Sequence, residues 1–185
     1  RAYGDFRELL EQADIDAVTV VTPDHWHVPI SIAAAKAGKD IYCEKPLSLT
    51  IAEGRTLADT VHRYGRILQT GSQQRSDLKF RRACELVQNG LIGELHTMHA
   101  EIPPNNRFSP AEWQVEPVPA GFDYEMWLGP APWEPYVEPR CHYSFRFIFD
   151  YSGGQMTNFG AHALDISQWA VGADNSGPVS IEGYG

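Results

Sequence analysis

Residues 16–27, DAVTVVTPDHWH, decide the fold class. The run Asp16–Thr22 is rich in β-branched residues, which predicts a strand buried on both faces, as in a parallel sheet. The Pro-Asp pair that follows is a turn signal and ends the strand. A helix is then predicted over 27–37, because Gly38 provides the residue type that commonly follows a helix.

The elements on both sides of this stretch continue the alternation of helix and strand. Helices are predicted over 5–12, where Asp5 is a plausible N-cap, and over 51–64, and strands over 40–43 and 66–70. Such an alternation requires crossover connections and therefore a parallel sheet. The predicted fold class is α/β: the second half of a Rossmann-type parallel sheet, followed by the start of an α+β open-sheet substrate domain.

The predicted boundary lies near Gly71, giving a nucleotide-binding domain over 1–70 and a substrate domain over 71–185. No GxGxxG turn occurs in the sequence. We therefore expect the first half of the nucleotide-binding domain to be missing and the second domain to be truncated, so that the chain alone is inactive and binds NAD(P) weakly.

The second predicted domain has a different pattern of helices, strands and loops. Helices are predicted over 78–89 and 157–170. Strands are predicted over 94–101, 143–150 and 179–182. Residues 102–140 are rich in Pro and Trp and predict a long ordered loop region, whose length indicates a functional surface.

Composition excludes several classes of protein. Hydrophobic residues make up 43% and charged residues 21%, which is typical of soluble globular proteins. The net charge of −9 disfavours nucleic-acid binding, and no apolar run approaches the ~20 residues of a membrane span. Three widely spaced cysteines form neither a disulfide framework nor a zinc pattern. Reduced thiols suit a cytoplasmic location, although a sequence that begins with Arg1 says nothing about an export signal.

Two polar motifs follow neighbouring predicted strands. Thr22–His27 follows the first strand, and Glu44-Lys45-Pro46 follows the second. Open α/β sheets bind ligands at the carboxyl ends of their strands, so both motifs should face one site. A lysine there can stabilise a developing alkoxide or share a hydroxyl proton. The alternative is a salt bridge in an exposed loop.

A second constellation lies in the predicted helix over 157–170. Asn158, His162 and Asp165 are spaced so that all three can share one helical face. Histidine is a natural general base for a sugar hydroxyl. The alternative is a structural histidine on a helix face.

Other polar and aromatic residues are candidates for ligand contact. The pair His25/His27 could bind a metal, but no further ligand set is evident, so no metal site is predicted. Aromatic residues suit sugar rings, although most of the aromatic residues between 113 and 143 are expected to hold the long loop to the sheet. Tyr143 and Arg146 are candidates for substrate contact, and Gln74-Arg75 are weaker ones.

The segments TPDHWH, AGKD and YCEKPL closely resemble the second half of the nucleotide-binding domain in the glucose–fructose oxidoreductase / inositol dehydrogenase (Gfo/Idh/MocA) family. The resemblance implies that Lys45 is the catalytic lysine. It also implies a set of residues that contact the nicotinamide cofactor: Thr22, Pro23, His27, Glu44 and Lys45.

In that family the stretch GGQMTNFGAHALDISQW begins the helix that presents a catalytic histidine, often with an Asp four residues earlier. Here that earlier position is Asn158, whose amide can orient a hydroxyl but cannot take its proton. The resemblance therefore makes His162 the candidate base and Asn158 a substrate-binding residue. The segments GSQQRS and DYEMWLGPAPW further resemble a branch that contains NAD-dependent glycoside hydrolases, which oxidise, eliminate and then reduce.

The implied function is hydride transfer between NAD or NADP and a hydroxyl-bearing carbon of a sugar or polyol. A redox-assisted glycosidase and a non-catalytic sugar-binding or scaffold protein of the same fold are the alternatives. A homo-oligomer is expected when the protein is full length, and charge and apolar-run length predict no nucleic-acid or membrane partner. The residue that selects NAD over NADP is expected upstream of this sequence.

Overall fold

A computed structural model of the chain describes residues 1–104 and 113–184. The chain divides into two compact units, one of Arg1–Gly71 and Pro104–Asn158, the other of Ser72–Pro103 and Phe159–Gly185. Residues 104–158, which follow the predicted boundary at Gly71, thus cluster with the first unit. The division into folding domains at that boundary remains a prediction.

Three parallel strands form the sheet of the first unit: β1 (Ala17–Val20), β2 (Asp40–Glu44) and β3 (Leu68–Gly71), in the order β1-β2-β3. Val20 lies opposite Cys43, and Glu44 lies opposite Gly71. The predicted parallel sheet is confirmed. The expectation that β1 is buried on both faces is wrong, because Ala17 and Thr19 are exposed and β1 has a strand neighbour on one side only among the described residues.

Helix α2 (His27–Lys36) packs on β1 and β2, and α1 (Phe6–Leu10) and α3 (Ile51–Tyr64) both contact α2. The Asp5 side chain accepts a hydrogen bond from the Arg7 amide and caps α1. Thr50 and Glu53 form a capping box at the start of α3. The core of this part consists of buried apolar side chains: Leu10, Val20, Val28, Ala34, Ala35, Ile41, Cys43, Leu57 and Val61.

The later segment of the first unit adds α5 (Tyr124–Leu128), α6 (Glu138–Cys141) and α7 (Gly154–Asn158) around a second, aromatic core. Tyr124 and Tyr136 are buried in that core, as expected for residues that hold a loop in place. The prediction of a strand over 143–150 is wrong, because Tyr143–Phe147 form a short 3-10 helix. Phe145 packs into the aromatic core there, and no adjacent described strand offers backbone partners.

The second unit is built on α4 (Leu78–Gln88) and α8 (Gly160–Ala170), which contact each other. The predicted strands over 94–101 and 179–182 are not formed; both segments are exposed, and no described strand of this unit pairs with them. The predicted helix over 157–170 is interrupted at Phe159, which separates α7 from α8. Across the described ranges, no helix has the length and apolarity that a bilayer crossing demands.

Candidate functional site

A cavity of about 300 Å³ opens in the first unit beyond the carboxyl ends of β1 and β2. Its position follows from the parallel sheet, which brings the residues after adjacent strands to one edge. The walls come from three parts of the sequence: Val21, Thr22, Pro23, Asp24, His27, Glu44, Lys45, Pro46, Phe145, Arg146 and Asn158. The structure therefore brings together every predicted cofactor-binding residue and two of the three predicted substrate-binding residues.

Lys45 reaches into this cavity from the turn after β2. Its ammonium donates hydrogen bonds to the backbone oxygen of Asn158 at 2.8 Å and to the Asn158 side-chain oxygen at 3.3 Å. Burial lowers the pKa of Lys45, and the carboxylate of Asp24 acts in the opposite direction. The result is a partly desolvated cation held by two neutral acceptors, a setting in which its charge acts strongly on any nearby oxygen.

Asp24 is a site residue that the sequence reasoning missed, because the Pro-Asp pair served there only as a turn signal. Asp24 is buried, and its carboxylate accepts a hydrogen bond from the hydroxyl of Ser152, 128 positions later. Burial raises the pKa of Asp24, while the Ser152 hydrogen bond and the nearby cations oppose that rise. No local pattern could reveal the pair, since the contact depends on tertiary folding.

His27 is fully buried and braces the two strand ends. Its Nδ1 lies 2.6 Å from the carbonyl oxygen of Pro46, and its Nε2 lies 2.9 Å from that of Thr22. Carbonyl oxygens only accept, so both contacts are hydrogen bonds only when both ring nitrogens carry protons. His27 thus fixes the shape of the cavity wall; a contact with cofactor remains a prediction.

The contacts of His25 are with a backbone oxygen and with aromatic rings. Its Nε2 hydrogen-bonds to the backbone oxygen of Trp127 at 2.9 Å, and the rings of Trp127 and Tyr151 lie within 5.4 Å and 5.2 Å of its ring centre. Burial lowers the pKa of His25, which favours a neutral ring. In the part of the chain that the structure describes, no group of three or more His, Cys, Asp or Glu side chains could hold a metal ion.

The predicted substrate-binding residues are placed differently from one another. Arg146 lines the cavity, with its guanidinium 4.6 Å from the Phe145 ring centre and 5.1 Å from that of Tyr143. Tyr143 is partly exposed and does not belong to the cavity wall. Its backbone oxygen accepts a hydrogen bond from the Arg146 guanidinium at 3.2 Å. Asn158 presents both of its oxygen atoms to Lys45.

His162 belongs to α8 in the second unit, where it lines a separate cavity of about 410 Å³. The interruption at Phe159 puts Asn158 at the end of α7 and both His162 and Asp165 on α8, and the face that the three residues were expected to share stays a prediction. The carboxylate of Asp165 accepts two hydrogen bonds from Arg75, at 2.8 Å and 2.9 Å. A role for His162 in the chemistry at Lys45 stays a prediction.

The cavity in the first unit fits the nicotinamide end of a dinucleotide. The Thr22 hydroxyl is buried and has no hydrogen-bond partner among the described residues, so it is free to bond a ligand. Gly71 on β3 lies close against Glu44 of the cavity wall, since a Cβ there would lie 2.9 Å from the Cα of Glu44. Hydroxyl, carboxylate and ammonium groups on the wall can bond the hydroxyls of a ribose and the carboxamide of a nicotinamide.

Two family models match the chain. Residues 1–72 match a model described as an oxidoreductase family, NAD-binding Rossmann fold, and residues 78–184 match a model described as an oxidoreductase family, C-terminal alpha/beta domain. The predicted family, fold class and nicotinamide cofactor are therefore confirmed, with NAD as the cofactor that the model names.

Individual relatives agree with this result. The chain is 40% identical over 98 residues to the myo-inositol 2-dehydrogenase of Thermotoga maritima, covering 53% of this chain and 29% of that protein. It is 32% identical over 170 residues to the levoglucosan dehydrogenase of Pseudarthrobacter phenanthrenivorans, covering 91% and 36% respectively.

The fold has a similar counterpart among solved structures. An oxidoreductase domain protein from Kribbella flavida superposes with a TM-score of 0.66 at 29% identity, over 91% of this chain and 38% of that one. The chain thus spans between 29% and 38% of the lengths of these three proteins.

Proposed function

Because the chain belongs to the glucose–fructose oxidoreductase / inositol dehydrogenase (Gfo/Idh/MocA) family of oxidoreductases, we propose that the full-length protein transfers a hydride between NAD(P) and a hydroxyl-bearing carbon of a sugar or polyol. The observation that carries this proposal is the placement of Lys45. Its ammonium lies in the cavity at the carboxyl edge of the sheet, where it donates hydrogen bonds to the oxygen atoms of Asn158.

Oxidation of an alcohol leaves negative charge on the substrate oxygen as the hydroxyl proton departs. A cation in a partly desolvated cavity stabilises that charge more strongly than a cation in water. Lys45 is such a cation, and a substrate hydroxyl would replace the oxygen atoms of Asn158 as its partner. NAD(P), when bound, supplies the hydride acceptor; the chain supplies position and charge.

We divide the other candidate residues between cofactor binding and substrate binding. Thr22 offers a hydroxyl, Glu44 offers a carboxylate, and Pro23 and His27 shape the wall on the cofactor side. We assign Arg146 and Asn158 to substrate orientation, with Tyr143 stacked behind Arg146. His162 is the proposed base, on the strength of the sequence resemblance.

The test is a spectrophotometric assay of full-length protein at 340 nm with NAD, NADP and a panel of inositols and sugars, including levoglucosan. Lys45→Ala should lower kcat by roughly 10²–10⁴-fold, the scale expected for losing a positioned proton-transfer or charge-stabilising group. Lys36→Ala is the matched control, because Lys36 is an exposed lysine at the end of α2. A kcat for Lys45→Ala equal to that of the control would contradict the assignment.

The same assay separates the alternatives. Net reduction of NAD(P) in proportion to product identifies a dehydrogenase. Cleavage of a glycoside with no net change in the cofactor would identify the redox-assisted glycosidase, and cofactor binding without any turnover would favour a binding or scaffold protein.

A further inference from the structure

The cavity beside Lys45 also contains a buried carboxylate to which the proposed function gives no role. Asp24 is 7% exposed and lines the same cavity as Lys45. Its Oδ2 accepts a hydrogen bond from the hydroxyl of Ser152, which is itself 2% exposed. A carboxylate removed from water in this way is costly unless charges nearby compensate it.

The charges around Asp24 come from every part of the cavity wall. Lys45 lies after β2, Arg146 lies on the 3-10 helix, and His27 begins α2; all three act on Asp24 as cations. The titratable groups that interact with Asp24 are therefore the following: His25, His27, Cys43, Lys45 and Arg146. Among these groups Lys45 is the amine whose charge the proposed function requires, and His27 lies between two carbonyl oxygens.

We propose that Asp24 is a positioning residue for Lys45: its carboxylate, fixed by Ser152, keeps the Lys45 ammonium charged within the cavity. The inference rests on the proposed role of Lys45. Asp24 would act through Lys45 and not by contacting cofactor or substrate. Ser152 matters because a carboxylate that could rotate away into solvent would not supply a constant field at the amine.

The direction of the effect follows from the groups around Lys45. Burial and, to a smaller extent, Arg146 lower the pKa of Lys45, whereas the carboxylates of Asp24 and Glu44 raise it, Asp24 more than Glu44. Removing the Asp24 carboxylate takes away the larger of the two opposing charges, so the ammonium loses its proton at lower pH. Because the charged form is the one that stabilises an alkoxide, activity should then fall at lower pH as well.

The experiment compares the pH dependence of kcat/KM in full-length wild type and Asp24→Asn. The amide keeps the size of the side chain and an oxygen for Ser152 but removes the charge. We expect the alkaline limb of the profile to move to lower pH by roughly one unit, the lower end of shifts caused by a neighbouring opposite charge. Asp59→Asn, at an exposed position on α3, is the matched control and should leave the limb in place. An alkaline limb at the wild-type position in Asp24→Asn would overturn the inference.

A second measurement does not depend on activity. The lysines of the wild-type protein are dimethylated with a ¹³C label, and the signal of Lys45, assigned with Lys45→Arg, is titrated by NMR. We expect this signal to report two steps, its own deprotonation and an acid-side step as Asp24 gains a proton. The acid-side step should vanish in Asp24→Asn. Its absence from wild type would overturn the inference even if Asp24→Asn failed to fold.

The two proposals fail in different ways. If Lys45→Ala keeps full activity, the proposed function of Lys45 fails, and the NMR titration still decides whether Asp24 governs its charge. If Lys45→Ala is inactive while Asp24→Asn moves neither the alkaline limb nor the Lys45 titration, the proposed function stands and the role of Asp24 is refuted.

Discussion

Thr22 occupies an unusual position for a hydroxyl, because its Oγ1 is buried at the end of β1 without a partner among the described residues. A buried polar group that lacks a hydrogen bond costs free energy in the folded protein. A ligand that accepts from or donates to this hydroxyl would recover that cost, whereas the folded chain alone cannot. A substitution that removes the Thr22 hydroxyl should therefore weaken cofactor binding without lowering the stability of the fold.

Thr22→Val tests that separation. Valine keeps the shape of threonine and removes the hydroxyl. We expect the Kd for NAD(H) of the full-length protein to rise by roughly 3–10-fold, the effect of one net hydrogen bond. The melting temperature should stay the same or rise slightly, since no internal partner loses a bond. Fluorescence titration with NADH and a thermal melt give both values.

The control for this prediction is Thr19→Val, at an exposed threonine on β1, three residues before Thr22. It should leave the Kd at its wild-type value. A lowered melting temperature with an unchanged Kd in Thr22→Val would show that the hydroxyl serves the fold and not a ligand.

At the level of residues, the sequence predicted the site residues whose position follows from the strand they come after. Thr22 and Lys45 meet because each follows a parallel strand, and adjacent parallel strands end at one edge. The pair Asp24–Ser152 obeys no such rule, since its members are joined only by the packing of the later segment. His162 was predicted from the family resemblance as well as from helical spacing; the helix is interrupted at Phe159, and the role of His162 as a base stays a prediction.

At the level of elements, helix ends were predictable and isolated strands were not. The predicted α3 over 51–64 agrees with the structure because its capping box and Gly65, at a φ of 61°, are encoded locally. A strand has no such local closure, because its hydrogen bonds belong to a neighbour. The patterns over 94–101 and 143–150 carry strand-like residues, but no described strand lies beside them.

Arg75 holds together the elements of the second unit. Its guanidinium forms two hydrogen bonds with Asp165 on α8 and two with Asp174, at distances of 2.8–3.2 Å, and lies 5.4 Å from the ring centre of Trp169. Bidentate contacts of this kind are the stronger class of ion pair. Arg75 was a weaker candidate for ligand contact from the sequence, whereas in the structure it binds Asp165 and so fixes α8.

Arg75→Ala should therefore destabilise the second unit. We expect a loss of about 1–2 kcal/mol in its free energy of unfolding, kept modest because the side chains are partly exposed to solvent. Amide hydrogen exchange along α8, measured by mass spectrometry, reports this unit separately from the sheet. Arg75→Lys should recover little of the lost free energy of unfolding, since an ammonium cannot form the paired contacts of a guanidinium.

The control is Arg82→Ala on α4, where an exposed arginine lies 3.8 Å from Glu85. Its removal should change exchange along α8 hardly at all. Equal exchange rates in Arg75→Ala and wild type would mean that apolar packing of α4 on α8 holds the unit without the ion pairs.

At the scale of the whole molecule, the feature with the widest consequence is the side of β1 that has no strand neighbour among residues 1–104 and 113–184. Ala17 and Thr19 are exposed, Val21 beyond the strand is 67% exposed, and an apolar groove of about 410 Å³ lies along the strand. The groove is lined by residues of α1, β1 and α2 and of the segments on both sides of β1: Phe6, Leu9, Leu10, Ile15, Ala17, Val18, Thr19, Val20, Thr22 and Ile30. Unpaired backbone groups beside apolar side chains form a surface on which another chain can add a strand.

We therefore expect the 185-residue chain, prepared by itself, to self-associate as its concentration rises, with the contact along β1. Thr19→Lys should weaken the association, because a charged side chain on an edge strand opposes pairing with a second copy. The melting temperature should remain near that of wild type, since Thr19 is exposed. Sedimentation velocity over a hundredfold range of concentration measures the association, and Ala52→Lys, at an exposed position on α3, supplies the matched added charge. If wild type sediments as a monomer throughout, or if both lysine variants weaken association equally, the free edge of β1 is not the surface responsible, and net charge or another apolar patch must be.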